Sequence, residues 1–179
     1  MSFYSNSTYG TVIHSADGYQ QKILANDGSD LASTTLATQS ALSIPLGGYE
    51  RVMGKYSIWY DSDDTNKLKF AVKNLDSSDA AIATTIYTDV TARVEESTAA
   101  DTPAAANIEG TGTYSTDGAG EVVTIDVGAS TSGLFLGVEF NVLVTAATKS
   151  NLVFQAALIT GSASGTHLLA GSNIVYKKW

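Results

Sequence analysis

His14 and His167 are the only histidines in this chain, and neither has a carboxylate at a motif-like spacing that would orient it as a general base. The run Gly161-Ser162-Ala163-Ser164-Gly165 has the outline of a nucleophile elbow, but its central position is Ala163. A strand pattern follows it, where an elbow needs a helix. It reads as a glycine–serine loop. Asp61-Ser62-Asp63-Asp64-Thr65-Asn66 gathers three carboxylates, the oxygen donors that calcium prefers. The EF-hand spacing fails there: Asn66 stands where glycine makes the sharp turn, and Val72 where the bidentate glutamate belongs. A solvated turn explains the run, because Asp and Asn bond their own backbone in turns. A glycosidase pair would have to be drawn from Asp89, Glu95, Glu96 and Glu139. Glu139 and Asp126 fall at outward phases of strands, and Glu95-Glu96 closes one. Gly110-Thr111-Gly112 lacks the next glycine and the strand–helix setting of a phosphate loop. With no cysteine there is neither a thiolate zinc site nor a disulfide framework. No catalytic, cofactor-binding or metal site is expected, and the chain reads as a non-enzyme.

Aromatic side chains are the better candidates for recognition. Trp59 and Tyr60 are consecutive in a strand pattern, so one of them must face away from the core. An outward aromatic is an interface anchor or a sugar platform. Trp59, Tyr60 and the terminal Trp179 are therefore expected to form an oligomer or recognition surface. Phe3, Tyr4, Tyr9 and Tyr19 lie in the least regular stretch, where Asp17-Gly18 and Asp27-Gly28 mark turns and residues 19–24 have room for one short strand. These four aromatics are expected to dock that stretch on a partner.

The elements that must position these residues are strands. In Lys67-Leu68-Lys69-Phe70-Ala71-Val72-Lys73 the lysines point one way and Leu68, Phe70 and Val72 the other, a period of two that suits a strand with one dry face. The same alternation predicts strands over residues 34–46, 50–60, 67–73, 82–95, 121–127, 134–146, 150–159 and 168–177. Pro45 lacks a ladder donor and belongs at a strand end or an edge. Residues 97–120, with Pro103 and repeated glycines, read as a long loop of the kind that often faces a partner. The expected fold is all-β: an eight-stranded antiparallel jelly-roll-like sandwich over residues 31–179, preceded by an N-terminal docking arm of residues 1–30.

Composition narrows the function classes. Ten basic residues against 18 acidic ones give a formal net charge of −8, which repels duplex nucleic acid and anionic membrane surfaces. No apolar run approaches the ~20 residues of a membrane-spanning helix, since Glu139 and Asn141 interrupt the longest candidate, residues 133–147. The first ten residues have neither a basic n-region nor an apolar h-region, so no signal peptide is expected. The charged fraction, 16%, lies below the usual share of about 25% and leaves much of the surface to hydroxyl and small side chains.

Two stretches carry a family likeness. One runs from Leu42-Ser43-Ile44-Pro45-Leu46-Gly47-Gly48-Tyr49-Glu50-Arg51-Val52 through Tyr56-Ser57-Ile58-Trp59-Tyr60-Asp61 to Lys67-Leu68-Lys69-Phe70. The other is Asn151-Leu152-Val153-Phe154-Gln155-Ala156-Ala157, then Leu168-Leu169-Ala170-Gly171-Ser172-Asn173-Ile174-Val175-Tyr176-Lys177. Together they resemble the β-sandwich modules of tailed-bacteriophage capsid decoration (cement) and head- or tail-fibre proteins. Asn66 stands where that family often has Asp, and residues 97–120 have no counterpart in it. The resemblance implies a non-enzymatic virion protein, made in the host bacterial cytoplasm and fixed on the capsid exterior. Its partners would be itself, as a homotrimer, and the major capsid protein, with no cofactor. A fibre or tail-tip module that binds a host receptor or glycan is the alternative.

Overall fold

The computed structural model describes residues 4–7, 10–14, 17–61, 68–80, 82, 85–97, 103–104, 121–124, 134–145, 147–158 and 166–179. At 4–14, 68–69, 82–124 and 134 the description is confined to the backbone, apart from the half-buried Ile82. Fourteen strands lie among these residues. The first seven are β1 (Tyr4–Ser7), β2 (Gly10–His14), β3 (Gln20–Ile23), β4 (Ala37–Thr38), β5 (Ile44–Leu46), β6 (Arg51–Asp61) and β7 (Leu68–Leu75). The rest are β8 (Thr85–Ser97), β9 (Pro103–Ala104), β10 (Glu121–Thr124), β11 (Leu134–Val144), β12 (Ser150–Leu158), β13 (His167–Leu168) and β14 (Asn173–Lys178). One 3-10 turn spans Ser40–Leu42, and no α-helix occurs among the described residues. Every pairing is antiparallel. The all-β, antiparallel character read from the alternation is thus the architecture of the described chain.

The larger sheet runs β1-β2-β3-β14-β6-β11-β8-β9, with β13 also on β6; the smaller runs β10-β7-β12-β4, with β5 also on β12. The pairings nest: β3 with β14, β5 with β12, β6 with β11 and β7 with β10. Two further ladders, β14 with β6 and β12 with β7, lock the nest into sheets. The chain is a long antiparallel ribbon doubled back on itself.

Alternation decides what lies between the sheets. Val52, Tyr56, Ile58 and Tyr60 of β6, Leu136 to Val144 at every second residue of β11, and Ile174 and Tyr176 of β14 are buried. Opposite them stand Ile44 and Leu46 of β5, Phe70 and Val72 of β7, and Leu152, Phe154, Ala156 and Leu158 of β12, all in one core. Tyr56 joins the layers, its ring 5.2 Å from Phe140 in its own sheet and 5.2 Å from Phe154 across the core. Its hydroxyl donates to the Leu42 carbonyl at 3.3 Å, and burial pushes its pKa far above the usual phenol value. Gly54 shares the inward phase and lies opposite Phe140. A Cβ there would meet the Val175 carbonyl at 2.4 Å and Phe140 Cζ at 2.8 Å, so only glycine lets β14 approach β6 this closely.

The 34–46 segment departs from a single strand. It breaks into β4, the 3-10 turn and β5, yet Leu42, Ile44 and Leu46 still point inward at 3% exposure or less. Pro45 sits in an edge strand, as its missing donor requires. Residues 20–31 are tied to the sandwich along their length. β3 pairs with β14, and then Leu24 N donates to Ser172 O at 2.7 Å, Gly28 N to Leu168 O at 2.7 Å and Leu31 N to Thr166 O at 2.8 Å. Asp27 Oδ1 accepts from Ala170 N at 2.8 Å, clamping the same strap. Before β3, β2 pairs with β3 and β1 with β2, so these described strands extend the larger sheet.

Candidate functional site

The outer side of the larger sheet is where the described candidate residues gather. Strand β6 turns Arg51, Met53, Lys55 and Trp59 outward because Val52, Tyr56, Ile58 and Tyr60 occupy its inward phase. Trp59 is 43% exposed, and its ring lies 4.8 Å from Phe135 on the neighbouring strand. Its backbone is held on both sides by Ser172, whose Oγ accepts from Trp59 N at 3.0 Å and donates to Trp59 O at 3.0 Å. Tyr60 is a correction: with 0% exposure it belongs to the core and is no part of a recognition surface. The two are neighbours on a strand, so placing Tyr60 inward is what places Trp59 outward.

Trp179 lies at the far end of the same face, 53% exposed, with the Arg51 guanidinium 5.5 Å from its ring centre. Arg51 and Trp179 also exchange both backbone hydrogen bonds at 3.0 Å, which holds the C-terminal residue in the ladder. Tyr19 is 41% exposed just before β3, and Lys177 Nζ stands 5.4 Å from its ring centre. Tyr4 lies in β1, where only the backbone is described, while Phe3 and Tyr9 fall outside the described residues.

Between these aromatics the sheet has a shallow depression of about 660 Å³, lined by Tyr19, Met53, Lys55, Glu139, Asn141 and Val175 over the backbone of Gly54 and Phe140. Lys55 Nζ and Glu139 Oε1 are 3.4 Å apart, with side chains 51% and 68% exposed. A pair so exposed is screened and contributes roughly 0–1 kcal/mol. Asn141 Oδ1 accepts from Arg51 Nε at 3.0 Å. The depression thus presents an aromatic ring, two apolar side chains and three polar ones.

Of the carboxylates weighed as catalytic, the backbone register brings Asp89 and Glu139 to diagonal positions on β8 and β11, with Asp89 opposite Asn141 and Thr91 opposite Glu139. Glu139 is exposed and paired with Lys55. Asp89, Glu95 and Glu96 lie on β8, where only the backbone is described, and Asp126 and residues 161–165 fall outside the described residues. Of the acidic run, Asp61 ends β6 opposite His167, and residues 62–66 lie outside the description. His167 Nδ1 lies 3.2 Å from Asp30 Oδ1 on the strap. Among the described residues no group of three His, Cys, Asp or Glu side chains is placed to hold a metal ion.

Sequence reasoning missed Met53, Leu143 and Val175, which extend the outward face beyond its aromatics. Their signal was present: each occupies the outward phase of a strand whose inward phase is apolar. No family model, curated protein or solved structure matches this chain, so the phage-virion likeness rests on the residues that carry it.

Proposed function

We propose that this protein is a non-enzymatic structural component of a tailed-phage virion. It decorates and cements the capsid as a trimer bridging major capsid protein subunits, and it is built on a jelly-roll-like sandwich. The observation that carries this reading is the nested pairing. The eight strands β3, β5, β6, β7, β10, β11, β12 and β14 pair first with eighth, second with seventh, third with sixth and fourth with fifth. That order fits two interlocked Greek keys in two packed sheets, an architecture shared by viral capsid and lectin domains. Fold alone does not carry function; the family-like residues at 42–61 and 151–177 supply the virion half of the argument. Multivalent attachment on a repeating lattice makes weak single contacts sufficient.

The protein is expected to co-purify with full capsids at fixed stoichiometry and to leave them when they are dismantled. Deleting residues 2–14, which keeps β3 in its sheet, should abolish that association while the sandwich still folds. Capsid binding retained by the truncated protein would sink the docking role of Phe3, Tyr4 and Tyr9. The depression holding Tyr19, Lys55, Glu139 and Asn141 favours a second reading, a fibre or tail-tip module that binds a host glycan. Saturable binding on a glycan array, lost in Tyr19→Ala, would select that reading over cementing.

A further inference from the structure

The smaller sheet has an open edge at β4 and β5. Both pair with β12, which gives its other side to β7. An edge strand offers unpaired N–H and C=O groups to any strand that comes alongside. At two residues β4 is too short to template one, but β5 continues from the extended Ser43 through Ile44, Pro45 and Leu46.

The backbone groups of that edge are already taken. Pro45 O accepts from Lys178 Nζ at 2.9 Å, which puts the Pro45 carbonyl on the side away from β12. Alternate residues of an antiparallel strand turn their polar groups to the same side. Ser43 O therefore leaves with Pro45 O, and it accepts from Lys22 Nζ. Ser43 N donates to Ser40 O at 3.2 Å, Pro45 has no N–H, and Gly47 N donates to Glu50 Oε2 at 2.9 Å. From Ser43 N to Gly47 N, no donor or acceptor on this side is left for another strand.

Both lysines reach across from the larger sheet. Lys22 of β3 stands opposite Ile174, and Lys178 of β14 opposite Val52, and both of these partners have 0% exposure. Cross-strand neighbours share a face, so the two lysines point inward, at the mouth between the sheets. Glu50 Oε2 lies 3.2 Å from Lys178 Nζ and balances it. Lys22 is half-buried, and burial first, then the Lys178 ammonium, lower its pKa. An apolar side chain of similar size would avoid that desolvation, so packing alone does not account for a lysine there.

We propose that Lys22 and Lys178, with Pro45, guard the β5 edge against addition of a strand from a second copy of the chain. Lysine, proline and inward-pointing charge are the devices by which sheet edges are kept closed. The guard is independent of the virion reading.

Sedimentation velocity of the full chain over a range of concentrations tests it. Lys22→Met/Lys178→Met should form species larger than those of the wild type, increasingly so with concentration. Each substitution removes a cation, so the chain becomes more acidic than its formal −8 and charge repulsion opposes the gain. Lys22→Arg/Lys178→Arg keeps the cations and should sediment as the wild type. Lys22→Met alone leaves the Lys178–Glu50 pair in place and keeps the test open if the double variant does not fold. It should associate more than the wild type, with a urea midpoint no lower, and adding Pro45→Thr, which restores an N–H to the edge, should strengthen the association. Lys22→Met that sediments as the wild type overturns the guard. So does association that comes with a lower midpoint, that appears equally in the arginine variant, or that Pro45→Thr leaves unchanged.

Discussion

Tyr60 is fully buried, whereas Trp59 leaves 43% of its surface to solvent, and truncating the two should separate them by cost. Tyr60→Ala removes a core aromatic and is expected to cost about 3–5 kcal/mol in urea unfolding. Trp59→Ala loses part of one ring contact with Phe135 and is expected to cost about 1 kcal/mol. Equal costs would contradict the assignment of Tyr60 to the core. Asp76 supplies a pH-dependent case. Its Oδ1 accepts from Ser78 Oγ at 2.7 Å, Ser78 N at 2.8 Å and Ala80 N at 3.0 Å. These bonds, the Ser78 hydroxyl first, hold its carboxyl below the usual carboxylate range. A folded-state pKa below the unfolded one means that the contribution is present above the unfolded value, about 3.9. It is lost as pH falls through the folded value. The protection of the Ser78 and Ala80 amides, relative to their intrinsic exchange at the same pH, should therefore fall on acidification below that window. In Asp76→Ala that protection should be low at every pH.

Among the elements, β6 is held by three strands, pairing with β11 and β14 and also carrying β13. Gly54 is its tightest point. Gly54→Ala would drive a Cβ into the Val175 carbonyl, against backbone rather than a movable side-chain end. It is expected to destabilise by about 1–3 kcal/mol, the usual cost of overpacking. A neutral Gly54→Ala in thermal unfolding would mean that β14 shifts away from β6 at no cost. The strap at residues 24–31 depends on fewer bonds. Asp27→Ala removes the acceptor for Ala170 N and should cost about 0.5–1.5 kcal/mol, with faster amide exchange confined to residues 24–31 and 166–172. The alternation made β6 and β11 legible because each is a run with one apolar phase. It misread residues 34–46 as one strand, since the inward positions Leu42, Ile44 and Leu46 keep their phase through a 3-10 turn. Periodicity records which side chains are buried, and a turn that preserves the phase is invisible to it.

For the whole molecule, the nested order places strands side by side that are far apart in the chain, as with β3 and β14. Non-local closure of this kind is slow, and refolding after denaturant dilution is expected on the millisecond-to-second scale. With no cysteine in the chain, reductant should leave that rate unchanged. A microsecond phase carrying the full amplitude would argue against the nested pairing. Solubility is the other property set at this scale. The sequence pI is about 4.5, so lowering the pH towards it removes the repulsion that keeps copies apart, and light scattering should rise there.

What the sequence by itself determined is local: strands from a two-residue period, inward residues from the apolar phase, and the acidic charge that disfavours nucleic acid. Which strands are neighbours was decided by tertiary structure. One alternation serves equally for pairing with any partner, and the partner of β6 lies some eighty residues away on β11. The candidate surface follows the same division. Sequence showed that one of Trp59 and Tyr60 must face out. Burial of Tyr60 against the core chose Trp59, and the ladders of β6, β11 and β14 put Met53, Val175 and Trp179 on the same face of the sheet. A face exists only once strands are paired, because its members come from separate strands and share nothing local that a single segment could record.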